Sequence, residues 1–292
     1  MATLRDIRRR IRTVQKTRQI TSAMRMVSAA KLRRSQDLIL AARPYGARLW
    51  AAIGDIGRRQ KGLDHPLLRA HPERRRAELL VITSDRGLAG AYNANTLKRA
   101  EKELERLRAE DLVEISVSAV GRKAQEYFRR RRALAAYWPA GASVEVTQAQ
   151  EIGAYLIRRY EAGEIDEAWV VGSEFVSALT QTPRAFRLLP FVPLVSPLRS
   201  WTEDAAQAPF HVEPNERRVL DTLVPVAFEF SLYVALLENQ AGEHAARMTA
   251  MEAATRNTEE LIGALTLRYN RARQAAITKE LVEIVSGAEA LA

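Results

Sequence analysis

The residues able to carry chemistry are few and scattered. The string ITSDRGLAGAYN, Ile82–Asn93, follows an apolar run, and a glycine loop between strand and helix can hold phosphate on its free backbone amides. Its glycines, Gly87 and Gly90, fit neither the G-x-G-x-x-G fingerprint nor a loop ending in Gly-Lys-Ser/Thr. A tight turn is therefore expected there, not a nucleotide site. His65, His71, His211 and His244 lie far apart, with neither H-x-x-x-H nor H-E-x-x-H spacing, so no metal site is expected. His244 sits in a helical stripe, where a packing role with satisfied polar atoms is expected. Cysteine is absent, which excludes disulfides, thiolate metal sites and cysteine nucleophiles. No Ser, His and Asp arrangement stands out. Neither a catalytic group nor a cofactor is expected.

Charge carries more information. Residues 1–60 hold 15 Lys and Arg against 3 Asp and Glu, a balance of +12, while residues 61–214 carry +1 and residues 215–292 carry −3. The whole excess of the chain's +10 thus lies in the first sixty residues. Arg8, Arg9, Arg10 and Arg12 could grip nucleic-acid phosphates. Positions 1–44 lack aromatic residues, which disfavours single-strand stacking. An acidic protein surface explains the charge equally well. Two classes therefore stand, a component of an assembly and a basic coiled-coil protein that binds nucleic acid, and copurification separates them. A Rossmann-type enzyme would need a cofactor fingerprint that the chain lacks.

The elements that would position these groups follow from periodicity. A first helix is predicted from about Thr3 to Gly57, with Leu4, Ile7, Ile11 and Val14 in a narrow coiled-coil stripe. The apolar pattern then shifts to Ile20, Met24 and Val27, with Leu38, Tyr45, Leu49 and Ile56 further on, as a stammer would produce. Pro44 should kink or break this helix. The basic start carries apolar residues at helical spacing and no apolar signal core, so it reads as mature protein. From Phe230, the series Val234, Leu237, Ala241, His244, Met248, Met251, Thr255, Thr258, Ile262, Leu265, Tyr269, Ala272 and Ala276 alternates four and three without interruption. A helix from Arg217 to Val285 would run about 100 Å, and so narrow a stripe needs a partner. The basic helix at the other end is the partner available, in antiparallel sense. No run approaches the roughly 18 consecutive apolar residues of a membrane span.

Between the ends, residues 77–195 alternate strand and helix signals, which predicts a small α/β sheet domain. Strands are expected at Glu78–Thr83, Val113–Val120 and Ala168–Gly172, and helices at Asn95–Arg108, Arg122–Arg132 and Ala149–Glu161. Val176–Thr180 and Phe186–Pro190 are expected to form a further extended pair. Residues 196–215 read as a loop. The predicted organisation is residues 1–60 as one coil helix, 77–195 as the sheet domain and 215–292 as the second coil helix, paired with the first.

Several strings together resemble the gamma subunits of F-type ATP synthases. They are IRRRIRTVQKTRQITSAMRMVSAAKLRRSQ from Ile7 to Gln36, SDRGLAGAYN, SEFVSALTQTP, and the closing ENQAGEHAARMTAMEAATRNTEELI and YNRARQAAITKELVEIVSGAEAL between Glu238 and Leu291. Ala89 stands where many members have cysteine, and Ala91 where many have a second glycine. The resemblance implies an antiparallel coiled coil of both termini with a central Rossmann-like α/β domain at its base. It implies a non-catalytic rotor shaft surrounded by three alpha and three beta subunits, contacting epsilon and the c-ring, with no nucleic acid. Such a subunit belongs to a peripheral complex on the cytoplasmic side of a bacterial membrane. By resemblance, Arg247, Arg273 and Gln274 make polar contacts with the catalytic ring. The nearly all-round apolar turns with Ile277, Leu281, Val282, Ile284 and Val285 would be enclosed by it. FHVEP, Phe210–Pro214, is similar to the loop that rests on the c-ring, which places Phe210 and Glu213 at that contact. Phe210 and His211 replace the tyrosine and leucine familiar there.

Overall fold

A computed structural model describes residues 3–59, 65–110, 112–131, 134–192, 210–213 and 215–289. Helix α1 spans Leu4–Arg59. The sheet region follows with β1 (Arg76–Ile82), α2 (Tyr92–Ala109), β2 (Glu114–Val120), α3 (Arg122–Arg129), β3 (Ala136–Trp138), α4 (Val146–Glu161), β4 (Glu167–Phe175) and β5 (Gln181–Leu189). Helix α5 spans Glu216–Glu289. Two compact units emerge: Met1–Ser28 with Met248–Ala292, and Ala29–Arg247.

The first unit is a helix pair. Thr3 and Asp6 start α1 with reciprocal bonds, Asp6 N–H to Thr3 Oγ1 at 3.3 Å and Thr3 N–H to Asp6 at 3.1 Å, the logic of a capping box. Further along, the Thr255 hydroxyl donates to Thr21 Oγ1 at 2.9 Å, and Arg18 meets Glu259 at 3.7 Å. Residues rising along one helix meet residues falling along the other, so the pairing is antiparallel. On α5, Met251 and Leu265 are buried, while Thr255, Thr258, Ile262, Tyr269, Ala272 and Ala276 are half-buried among exposed neighbours. Arg18 and Glu259 are each about half exposed, so their ion pair contributes little. Packing holds the pair, and most of the positive charge of α1 faces outward.

The apolar pattern misplaces the seam of α1. Ile20 and Val27 are 60% and 56% exposed, whereas Thr21 and Ser28 are buried. From Ile7 the buried and half-buried positions run through Ile11, Val14, Thr21, Ser28, Leu32, Ser35, Ile39, Gly46, Leu49, Ile53 and Ile56 in one phase. There is no stammer: hydroxyls occupy knob positions, and the apolar residues beside them point away. The helix also continues through Pro44 without a break. Pro44 itself is exposed, where a missing backbone donor and a bulky ring are accommodated most easily.

The second unit is an α/β sheet with helical segments packed on it. Strand order is β3-β2-β1-β4-β5. β1 pairs in parallel with β2 and β4, β2 in parallel with β3, and β5 antiparallel with β4. β1 is buried along nearly its whole length, as a central parallel strand covered on both faces must be. Leu79, Val81, Val117, Ala119 and Val171 pack against Ala100 and Leu104 of α2 and Ala124 and Phe128 of α3. Even Glu78 is fully buried. It is paired with Arg159 and accepts from Ser118, and burial raises its pKa above the carboxylate range. At the amino ends of the strands, Asp166 accepts from the Arg75 and Arg76 amides at 3.0 and 2.8 Å and pairs with His71 at 3.1 Å.

Here too the expected extended pair is rearranged. Val176–Thr180 is the turn of a hairpin, closed by the Ser177 amide on Thr180 O at 3.0 Å. β5 pairs back along β4. The three-residue β3 is an element that periodicity did not reveal. The predicted loop 196–215 lies mostly outside the described residues. Helix α5 holds the described window apolar enough to cross a membrane by length and composition, with mean hydropathy 1.7. Its Leu220, Val224, Phe228, Leu232 and Leu237 are buried within the chain. Tyr45 meets Phe230 edge-on at 4.9 Å, and Phe191 bridges Trp50 (5.3 Å) and Phe228 (5.8 Å). α1 and α5 thus pair in this unit as well, with the Ser35 hydroxyl donating to Gln240 at 3.2 Å.

Candidate functional site

In a doubly wound sheet, ligands bind beyond the carboxyl ends of the strands, where the strand order reverses. Here the order reverses between β1 and β4, and α5 fills that place. Asn239 is the centre of the joint. Its Oδ1 accepts from the Ser173 amide at 2.9 Å and the Tyr92 hydroxyl at 3.0 Å, and its Nδ2 donates to Ala235 O at 2.9 Å. The same Tyr92 hydroxyl lies 2.8 Å from Asn239 O, so one proton is shared between two acceptors. Tyr92 is buried, and desolvation raises its pKa well above the usual phenol value. The approach requires glycine at 172: a methyl there would stand 2.4 Å from Asn239 Nδ2.

The loop after β1 is built into this joint. Ser84 N–H donates to Asn93 Oδ1 at 3.1 Å, and Thr83 Oγ1 accepts from the Ala124 amide at 2.8 Å. Asp85 accepts from the Arg122 and Gly141 amides at 2.9 and 3.0 Å. Donors at the start of α3 that a phosphate would seek are thereby used by the chain itself. Leu88 has φ 63°, a left-handed conformation that costs a side-chain-bearing residue about 1–2 kcal/mol. Immediately before it, Gly87 O accepts from Arg247 Nη2 at 3.2 Å and Nε at 3.4 Å. Arg247 also pairs with Glu243 at 2.6 Å. Burial raises the pKa of Glu243 despite that cation.

Arg247, expected at a partner surface, is therefore 8% exposed and bound within its own chain. His244 departs from expectation too. It is buried as predicted, but its Nδ1 has no hydrogen-bond partner among the described residues. Burial, with the Arg247 and Lys31 charges, pushes its pKa down to about 4, so it stays neutral in the seam. Among the described residues no group of three or more His, Cys, Asp or Glu is arranged to hold a metal.

The other candidate residues lie on the surface. Arg273 and Gln274 are exposed beside half-buried Ala272 and Ala276, with side chains directed away from the seam. Ile277, Leu281, Val282, Ile284 and Val285 are between 49% and 71% exposed, a concentration of apolar surface on a single helix. In the second unit, the Phe210 amide donates to Asp55 at 3.1 Å and its carbonyl accepts from Arg59 at 2.7 Å. His211 and Glu213 are 94% and 82% exposed and 3.7 Å apart. Arg5, Arg8, Arg9, Arg10, Arg12 and Lys16 are all exposed on α1. Reading the sequence for motifs did not reveal Tyr92, Gly172, Asn239 and Glu243 as a joint, nor Asp55 and Arg59 as partners of Phe210. Each is an isolated polar or small residue that only tertiary structure brings to its partner.

These features define a class: an α/β domain of nucleotide-binding topology, closed by the chain's own last helix and inserted in sequence between two helices that pair with each other. A family model described as ATP synthase matches residues 3–291. The ATP synthase gamma chain of Pelotomaculum thermopropionicum is 44% identical over 293 residues, and that of an Anaeromyxobacter species (strain Fw109-5) 47% identical over 296, each with full coverage of both chains. Among solved structures, a chain of the Euglena gracilis mitochondrial ATP synthase (OSCP/F1/c-ring) is 20% identical with TM-score 0.62, covering 99% of this chain and 94% of that one. A chain from the central stalk and c-ring of the Tetrahymena thermophila mitochondrial enzyme is 23% identical with TM-score 0.57, covering 80% and 99%. The chain belongs to the family of ATP synthase gamma chains.

Proposed function

We propose that this chain is the central shaft of a rotary ATP synthase and performs no ATP chemistry of its own. The observation that carries this reading is the exposed apolar end of α5, from Ile277 to Val285, beyond a seam that pairs α1 with α5. An apolar helix end of this kind gains stability when a partner sleeve encloses it. Three alpha and three beta subunits would supply that sleeve, with Arg273 and Gln274 making polar contacts to it. Arg247 would act indirectly, by holding the Gly87–Leu88 loop. Phe210–Glu213 would meet the c-ring, and epsilon would bind the lower part. The basic face of α1 would then be met by acidic subunit surfaces. Functional segments would follow residues 1–60, 77–195 and 215–292.

The non-catalytic part of the proposal is supported by the filled joint, since Asn239 and Tyr92 stand where a nucleotide would enter a Rossmann sheet. The assembly would sit peripherally on the cytoplasmic face of the membrane. Reconstitution with purified alpha and beta subunits tests the reading. ATP-driven rotation of a bead attached to this chain, with no hydrolysis by the chain alone, is the expected result. Hydrolysis that stays with the homogeneous chain, or assembly without rotation, overturns it.

A further inference from the structure

The residues that hold Phe210 sit on the last turns of α1, although the segment carrying Phe210 leads directly into α5. Asp55 takes the Phe210 N–H at 3.1 Å, while Arg59 gives a hydrogen bond to the Phe210 carbonyl at 2.7 Å. Asp55 and Arg59 are themselves an ion pair one helical turn apart, and Arg58 approaches Asp55 at 3.5 Å. Both polar groups of one peptide residue are thus gripped, whatever side chain that residue bears. The acceptor is anionic and the donor cationic, the stronger kind of hydrogen bond. Asp55 is 15% and Arg59 33% exposed, so water competes only partly. The Phe210 amide is also the leading influence holding the Asp55 carboxyl below its usual range.

We infer that Asp55 and Arg59 form a backbone clamp that positions Phe210–Glu213 for its partner and passes load from that segment into α1 as well as α5. This rests on the reading of Phe210–Glu213 as the c-ring contact. α5 begins at Glu216, so the segment is joined to α5 through the chain and to α1 through the clamp. His211 and Glu213 remain exposed just beyond it. A tangential push on them would otherwise reach α5 alone, and a single helix end takes up such a push by fraying or bending.

The charge swap Asp55→Arg with Arg59→Asp isolates the clamp. It keeps an ion pair at the same spacing within α1 but reverses donor and acceptor, so the Phe210 amide and carbonyl both lose their partners. In the assembled complex, hydrogen exchange at the Phe210 amide is expected to rise about tenfold, the loss of one charge-assisted hydrogen bond. Proton-driven ATP synthesis should fall severalfold, and by more than ATP hydrolysis measured on the detached soluble assembly. Asp55→Asn keeps an acceptor for the amide and should lie between wild type and the swap. Unchanged exchange, unchanged synthesis, or equal losses of synthesis and soluble hydrolysis would overturn the inference. A His211→Cys variant with otherwise native sequence, treated with a short crosslinker, tests the underlying contact. If no product with the ring subunit forms, the ring reading itself falls and the clamp's role with it. If the product forms while the swap has no selective effect, only the clamp falls.

Discussion

Two carboxylates on α5 are placed where burial works against them, and they answer to different tests. Glu243 is compensated by Arg247, whose side chain is only 10% exposed. Arg247→Ala should leave Glu243 and the Gly87 carbonyl without their partner, destabilising the protein by about 3 kcal/mol. Exchanging the pair for apolar residues, Arg247→Met with Glu243→Leu, should recover much of that loss, because a buried pair often does no better than good packing. Urea unfolding of the two variants against wild type checks both expectations. Among the described residues Glu238 has no such partner at contact distance. Burial pushes its pKa up to about 8, with Glu174 adding to the shift and Arg43 and Arg184 opposing it. The ordinary value is 4.5, so between pH 4.5 and 8 the native carboxyl keeps a proton that the unfolded one has released. Its contribution is complete below pH 4.5 and is lost as pH rises through 8. Glu238→Gln should therefore match wild type below pH 4.5 and exceed it by about 5 kcal/mol at pH 9, read from unfolding midpoints across that range.

Seams and strands are the next scale, and there the seam of α1 with α5 gives the sharpest prediction. The chain has no native cysteine, so an engineered pair reports without background. Thr21→Cys with Thr255→Cys replaces two hydroxyl oxygens that lie 2.9 Å apart, close to the spacing a disulfide needs once the sulfurs approach. Oxidation should give a crosslink within one chain, visible as a faster-migrating band without dimer. A crosslink only between chains would break the antiparallel pairing. The two helices were not equally legible. The stripe of α5 could be followed from Val234 to Ala276, because apolar or small residues hold nearly every seam position. On α1 the seam passes through Thr21, Ser28 and Ser35, while Ile20 and Val27 lie exposed beside it. A reading by hydropathy follows the isoleucine and valine and lands one residue away. Central strands were plain for a related reason: LLVI in β1 is buried on both faces. β5 begins Gln-Thr-Pro, which reads as a turn, and it became a strand because β4 offered it a register. The joint at Asn239 was illegible, since nothing near it in sequence distinguishes that asparagine from an exposed one.

At the scale of the whole molecule, the proposed shaft depends on what projects from the end of α5. Arg273 and Gln274 are exposed there. Enclosed in a ring of subunits, Arg273 would need a carboxylate partner to offset its desolvation. Arg273→Ala with Gln274→Ala should leave circular dichroism and assembly unchanged while lowering turnover of the reconstituted complex. Full turnover in a fully assembled double variant would make the two residues ordinary surface. The order of elements along the chain also has a consequence for how the molecule is made. α1 is synthesised first, yet its seam partners Gln240 and Thr255 come more than two hundred residues later. At about 5–20 residues per second, the nascent helix with its excess of fifteen cations over three anions waits on the order of 10–40 s for its mate. The cleft between β1 and β4 stays open for a shorter interval, from the completion of β4 at Phe175 until Asn239 leaves the ribosome. Folding therefore cannot finish from the front, and the newborn chain carries an unpaired basic arm until α5 emerges.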